Sequence, residues 1–225
     1  MTDALDAVRG GLIVSCQAYP GEPMRDPSIM TAVARACVEG GAVGIRAQGL
    51  ADLTAMRAAL AVPLIGLVKV DGAPVYITPT VADCRAVAAT GAEIVAFDGT
   101  TRDRPDGSTL AQLVRAVHDA GALAMADCDC LAGAIAAIEA GADCVGTTLA
   151  GYTDARPRTS GPDLELLAQL VSLGATPVMA EGRVQTPAQA AAAFELGAHA
   201  VIVGTAITHP TTITRGFVGV SPQGR

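Results

Sequence analysis

The feature that most constrains this chain is a motif that recurs along it: an alanine-rich helical stretch, a Gly-Ala stop, then a short apolar run. It appears at Glu39-Gly40-Gly41-Ala42, Thr90-Gly91-Ala92, Ala120-Gly121-Ala122, Ala140-Gly141-Ala142, Leu173-Gly174-Ala175 and Leu196-Gly197-Ala198. A glycine just past a helix end takes the left-handed conformation that closes the last turn, so each instance marks a helix-to-strand junction. Repeated junctions of this kind imply repeated βα units.

The apolar runs are Leu12–Cys16, Val43–Arg46, Leu64–Lys69, Ile94–Asp98, Leu123–Asp127, Cys144–Thr147, Pro177–Glu181 and Ala200–Gly204. They lack polar alternation, as parallel strands covered on both faces do. Helical stretches lie between them, among them Pro27–Glu39, Thr80–Ala89, Thr109–Ala120, Leu131–Ala140, Asp163–Leu173 and Pro187–Leu196. Asp26-Pro27 and Thr186-Pro187 are helix starts, an N-cap followed by proline at the first helical position. Eight strands in 225 residues predict a (β/α)8 barrel, a TIM barrel, as a single domain over 1–225. The competing open Rossmann-like sheet lacks its GxGxxG after the first strand.

A chain that is 51% hydrophobic can bury the core such a barrel needs. Its formal charge of −7 and pI of about 4.8 argue against nucleic-acid and membrane-surface partners, which want a basic face. An anionic substrate must then be held by local donors. The acidic residues Asp3 and Asp6 do not suit a signal peptide, and no apolar run is long enough to span a bilayer, so the expected location is cytoplasmic. Cys16, Cys37, Cys84, Cys128, Cys130 and Cys144 form no CxxC pair and read as free thiols.

Barrel active sites assemble at the C-terminal ends of the strands, so polar residues that end the apolar runs are the candidates. These are Gln17, Arg46, Lys69, Asp98, Asp127 and Glu181. Any one of them could simply be the polar residue at which a strand stops; their convergence on one rim points to a site. A lysine in an apolar setting and a carboxylate across the barrel mouth are equipped for proton abstraction beside a carbonyl, ring opening or Schiff-base chemistry. Gly182 and Gly204, in Glu181-Gly182-Arg183 and Val203-Gly204-Thr205-Ala206, lie where many barrels offer bare backbone N–H groups to a phosphate. His118 and His199 read as packing or surface residues, the Cys128/Cys130 pair as no metal site, and Arg102 and Arg104 as either gating or solvated side chains.

At these residues the chain closely resembles the bacterial N-acetylmannosamine-6-phosphate 2-epimerase family. The resemblance rests on Gly11-Leu12-Ile13-Val14-Ser15-Cys16-Gln17, Gly44-Ile45-Arg46-Ala47, Gly66-Leu67-Val68-Lys69, Tyr76-Ile77-Thr78-Pro79-Thr80, Asp98-Gly99-Thr100, Met125-Ala126-Asp127, Gly146-Thr147-Thr148-Leu149-Ala150-Gly151-Tyr152-Thr153, Ala180-Glu181-Gly182-Arg183 and Val203-Gly204-Thr205-Ala206-Ile207-Thr208. It implies a cofactor-independent, metal-free isomerase of sialic-acid and amino-sugar catabolism, expected to be a homodimer. Lys69 would be the C2 acid/base and Glu181 would assist ring opening and proton handling. Gln17, Arg46, Asp127, Tyr152 and Thr153 would bind the sugar, and Gly182, Arg183, Gly204 and Thr205 its phosphate. The chain departs from the family at His209, where an arginine is usual. The alternatives are another phosphate-binding barrel isomerase or a non-catalytic phosphosugar-binding barrel.

Overall fold

The computed structural model describes residues 3–222, so the outermost residues of the expected 1–225 span lie outside the described residues. The elements run α1 (Asp3–Val8), β1 (Leu12–Cys16), α2 (Pro27–Glu39), β2 (Gly44–Gln48), α3 (Leu50–Ala59), β3 (Leu64–Leu67), α4 (Val81–Ala88), β4 (Ile94–Asp98) and α5 (Leu110–Asp119). They continue β5 (Leu123–Asp127), α6 (Leu131–Glu139), β6 (Cys144–Gly146), α7 (Leu164–Leu173), β7 (Val178–Glu181), α8 (Pro187–Glu195), β8 (Ala200–Val203), α9 (Thr205–Thr208) and α10 (Pro210–Val218). All eight strands pair in parallel with their sequence neighbours, and β8 closes on β1. The expected TIM barrel is the observed fold.

The junction glycines do what the motif requires. Gly41, Gly91, Gly121, Gly141, Gly174 and Gly197 all have positive φ, between 61° and 103°, which costs glycine nothing and other residues about 1–2 kcal/mol. Both anticipated helix starts are built. Asp26 accepts from the Ser28 and Ile29 amides, and the Thr186 side chain accepts from Gln189 N, each with proline at the start of the helix.

Side-chain parity along the strands separates two cores. Val14, Ile45, Val95, Phe97, Ala124, Ala126, Val178, Ala180 and Val201 face outward and pack under the helices. Their neighbours Ile13, Ile65, Leu67, Ile94, Ala96, Leu123, Met125, Met179 and Ile202 fill the barrel interior, with Val8 of α1 at the N-terminal end. Period-two alternation therefore carries the inward-facing set straight up to Ser15, Arg46, Asp127 and Glu181 at the C-terminal rim. Gly66 faces the helices: a Cβ there would lie 2.8 Å from Val87 Cγ1 and 2.9 Å from Ala92 Cβ, so α4 and the segment after it pack directly on bare backbone.

The observed strands differ from the expected runs at their ends. β2 extends to Gln48, whose Nε2 donates to Ala18 O. β3 stops at Leu67, and Lys69 lies beyond it in an antiparallel bridge with Ile77. That small hairpin brings Tyr76 to the barrel mouth.

Candidate active site

The C-terminal rim encloses a cavity of about 390 Å³ lined by Ser15, Gln17, Arg46, Lys69, Thr148, Glu181, Gly182, Arg183, Gly204, Thr205 and His209, with tyrosines 19, 76 and 152. At its floor is a buried ionic cluster. Arg46 is 1% exposed and makes a two-point contact with Asp127, Nη1 to Oδ1 at 3.1 Å and Nη2 to Oδ2 at 2.6 Å. The same Nη1 lies 2.9 Å from Glu181 Oε2. Thr148 Oγ1 stands between the carboxylates, 2.6 Å from Asp127 Oδ1 and 3.1 Å from Glu181 Oε2. Burial works against the Arg46 charge, but Asp127 and Glu181 outweigh it and hold its pKa above the ordinary value. One guanidinium thus organises two carboxylates from β5 and β7.

Lys69 and Glu181 are tuned in opposite senses. Burial, reinforced by the charge of Arg46 and opposed by Glu181, Asp127 and Asp71, lowers the Lys69 pKa from 10.5 to about 8. Burial raises Glu181 from 4.5 to about 7, with Asp127 adding to the rise and Arg46, Thr148 and Lys69 resisting it. Two groups poised near neutrality in one cavity suit reversible proton transfer to and from a carbon acid. Tyr76, pushed up to about 12 by burial and by the nearby Asp127 and Asp98 charges, remains a neutral phenol.

Lys69 carries a signal that residue-type reasoning missed. It is the only lysine in the chain; the other fourteen of its fifteen Lys and Arg residues are arginine. Arginine does not give up its proton, whereas a buried lysine readily shifts into the working range. Likewise all three tyrosines of an aromatic-poor sequence border this one cavity.

The remaining candidates divide. Gln17 Nε2 donates to Ser15 Oγ at 2.8 Å, while its Oε1 is buried without a hydrogen-bond partner. Tyr152 borders the cavity beneath the guanidiniums of Arg158 and Arg183, 5.2 and 5.1 Å from its ring centroid. Thr153 does not border the cavity; its Oγ1 donates to Asp129 Oδ2 at 2.8 Å. Arg183, at φ 56°, lines the cavity but donates to Ala150 O, Gly161 O and Thr159 Oγ1, bracing the loop between β6 and α7. Gly182, Gly204 and Thr205 line the opening.

Asp98 is drawn away from the cavity by Arg102 Nη2 at 2.8 Å and by Thr100 Oγ1 at 2.6 Å. Arg104 Nη2 donates to the Asp98 and Thr100 carbonyls, so these arginines fasten a loop. His118 pairs with Asp143, and His199 Nε2 contacts Leu5 O. Cys130 caps α6 through its sulfur. Among the described residues no group of three or more His, Cys, Asp or Glu side chains is placed to hold a metal ion. His209 borders the cavity with Nε2 2.8 Å from Glu22 Oε1 and Nδ1 2.8 Å from Thr212 Oγ1.

Comparison with known proteins shows the family and agrees with the fold. Residues 30–221 match the family described as "Putative N-acetylmannosamine-6-phosphate epimerase". A Cutibacterium acnes protein described as "Putative N-acetylmannosamine-6-phosphate 2-epimerase" is 52% identical over 220 residues, 96% of each chain. A Corynebacterium glutamicum protein of the same description is 48% identical over 217 residues, 95% of this chain and 94% of the other. The solved N-acetylmannosamine-6-phosphate 2-epimerase from Clostridium perfringens superposes with a TM-score of 0.93 at 42% identity, covering 96% of both chains. Thiamine phosphate pyrophosphorylase from Pyrococcus furiosus, at a TM-score of 0.60 and 18% identity over 91% of this chain and 89% of the other, shares the fold alone. Over nearly its whole length, then, the chain belongs to the N-acetylmannosamine-6-phosphate epimerase family.

Proposed function

We propose that this chain is an N-acylglucosamine-6-phosphate 2-epimerase, interconverting N-acetylmannosamine 6-phosphate and N-acetylglucosamine 6-phosphate without a metal or organic cofactor. The observation that carries the reading is the juxtaposition of Lys69 and Glu181, both tuned toward neutrality, above the Arg46–Asp127 pair. In the reaction the pyranose opens: the anomeric hydroxyl loses its proton, the ring C1–O5 bond breaks, and O5 gains a proton. Glu181 is the group that exchanges protons with these oxygens. The open chain carries an aldehyde at C1, which acidifies C2–H. Neutral Lys69 takes that proton, and the electron pair delocalises onto the C1 oxygen. The positive charge of Arg46, buried at the cavity floor where charge acts strongly, stabilises the enolate. C2 is then planar, and a proton returned to its opposite face completes the inversion.

The unpartnered Gln17 Oε1 suits the acetamido N–H, since an unpaired buried acceptor costs about 1–3 kcal/mol until a donor arrives. Asp127 positions Arg46, and Tyr152 walls the sugar. Gly182, Gly204 and Thr205 offer main-chain donors to the phosphate, while Arg183 and Thr153 act by shaping the adjoining loop. A single barrel domain carries all of these groups. The protein works in the cytoplasm as a homodimer: its six free thiols suit a reducing compartment. No residue of α10 is buried, and it presents Phe217 and Val218 at 76% and 51% exposure, an apolar surface for a second copy.

The test is incubation with N-acetylmannosamine 6-phosphate in D2O without added metal, followed by proton NMR. N-acetylglucosamine 6-phosphate carrying deuterium at C2, absent with Lys69→Ala, is the expected result. A folded protein that binds the phosphosugar but neither exchanges nor converts it would overturn the reading and favour a binding protein. Light scattering that returns a monomer mass would overturn the dimer.

A further inference from the structure

The loop between β1 and α2 holds an aromatic ring over the lysine. Tyr19 has its ring centroid 5.1 Å from Lys69 Nζ, within cation–π range. The ring is 45% exposed, so it forms a roof between the cavity and solvent. Its position is fixed from several directions. Gln48 of β2 donates to Ala18 O at 3.0 Å, immediately before Tyr19. The Tyr19 amide donates to Glu22 Oε2 at 2.7 Å. Glu22 in turn contacts His209 Nε2, and the His209 ring meets the Tyr19 ring edge-on, with centroids 5.3 Å apart. Gln48 of β2, Glu22 of the β1–α2 loop and His209, just before α10, thus converge to hold one phenol where it caps one amine.

We propose that Tyr19 is a positioning residue for Lys69, its ring setting where the ammonium points and how readily it sheds its proton. This rests on the reading of Lys69 as the group that moves the C2 proton. The physical basis is a balance. The face of the ring is electron-rich and favours the charged ammonium, while its bulk excludes water and disfavours charge. The other charges facing Lys69 are Arg46 from β2, Asp127 from β5, Glu181 from β7 and Asp71 from its own loop, with Tyr76 as a neutral neighbour. Substitutions at Tyr19 leave all of these in place.

The two contributions have opposite signs, so two substitutions separate them. Tyr19→Leu is smaller but keeps an apolar side chain over the amine and loses the electron-rich face, and lowers the Lys69 pKa by roughly half a unit to one unit. Tyr19→Ala opens the roof to water and raises it. Tyr19→Phe keeps the ring and titrates as the unmodified protein does.

Because Lys69 is the only lysine, uniform 15N-lysine labelling yields one side-chain resonance to follow against pH in substrate-free protein. The expected result is a midpoint that moves down in the Leu variant and up in the Ala variant. With N-acetylmannosamine 6-phosphate, the Leu variant should lose about tenfold in kcat with little change in KM, the pattern of a displaced proton carrier. Unmoved midpoints in both variants, with circular dichroism showing them folded, would overturn the proposal. Failure of the unmodified protein to epimerise would instead overturn the functional reading, because the titration is measured without turnover.

Discussion

Replacing Lys69 by methionine should make the protein more stable while removing its activity. In the folded chain, burial and the neighbouring Arg46 lower the Lys69 pKa from 10.5 to about 8, so at pH 7 the fold carries a charge that it destabilises. At 1.36 kcal/mol per pKa unit this amounts to about 3 kcal/mol. Methionine is similar in length and bears no charge, so the variant should gain that amount at pH 7. For a barrel of this size it corresponds to roughly 6–12 °C in Tm.

The pH dependence is the sharper check. Below pH 8 the lysine is protonated in both folded and unfolded chains, and the gain is fully present. Between about pH 8 and 10.5 the unfolded chain binds the proton and the folded chain does not, so the parent protein recovers stability as pH rises and the gain shrinks. Urea unfolding at pH 7, 9 and 10.5, with matched circular dichroism and fluorescence probes, measures it. A variant no more stable than the parent at pH 7, or a gain that does not fall with pH, would refute the account of Lys69 as a strained ammonium. Loss of activity without any gain in stability would place Lys69 in a relaxed, solvated setting.

Arg46→Met leaves Asp127 and Glu181 buried without their cation and should cost about 3–5 kcal/mol, read by urea unfolding; an undiminished midpoint would contradict the cluster. The kcat/KM profile should be bell-shaped with its maximum between about pH 7 and pH 8, the values to which Glu181 and Lys69 are tuned; a flat profile from pH 5 to 10 would refute their joint role. Glu181→Gln should remove one limb of that bell and lower kcat about 10²–10⁴-fold. Gly66→Ala places a methyl 2.8 Å from Val87 Cγ1 and should cost about 1–3 kcal/mol without altering the pH profile, so an unchanged Tm would mean that α4 yields freely.

Much of the fold was legible locally. A glycine that must turn left after each helix, and apolar runs with no polar face, are properties of a few adjacent residues. They specify βα units wherever the chain goes. The helices that the pattern passed over lacked those marks: α3 starts at Gly49 with no side-chain cap, and α10 buries none of its residues. The rim residues Gln17, Arg46, Lys69, Asp127 and Glu181 were likewise legible, because period-two alternation extends the inward-facing row beyond the apolar strand to its polar end.

What the sequence by itself determined, then, was the barrel and the row of strand-end groups Gln17, Arg46, Lys69, Asp127 and Glu181; that Tyr19 joins them and that Asp98 and Thr153 do not was outside its reach. Only the tertiary structure decided which of them interact. Arg46 and Asp127 are 81 residues apart in the chain, and no local pattern encodes their pairing or the capture of Glu181 by the same guanidinium. Asp98 looked equivalent to Asp127, yet Arg102, four residues on, turns it into a loop anchor. The Thr153 hydroxyl is taken by Asp129 of the loop between β5 and α6, Arg183 donates to the loop between β6 and α7, and Tyr19 reaches Lys69 because Gln48, Glu22 and His209 fix its loop. The physical reason is the same in each case: strand and helix signals act over a few residues, whereas a buried charge is satisfied by whichever partner closure of the barrel places beside it.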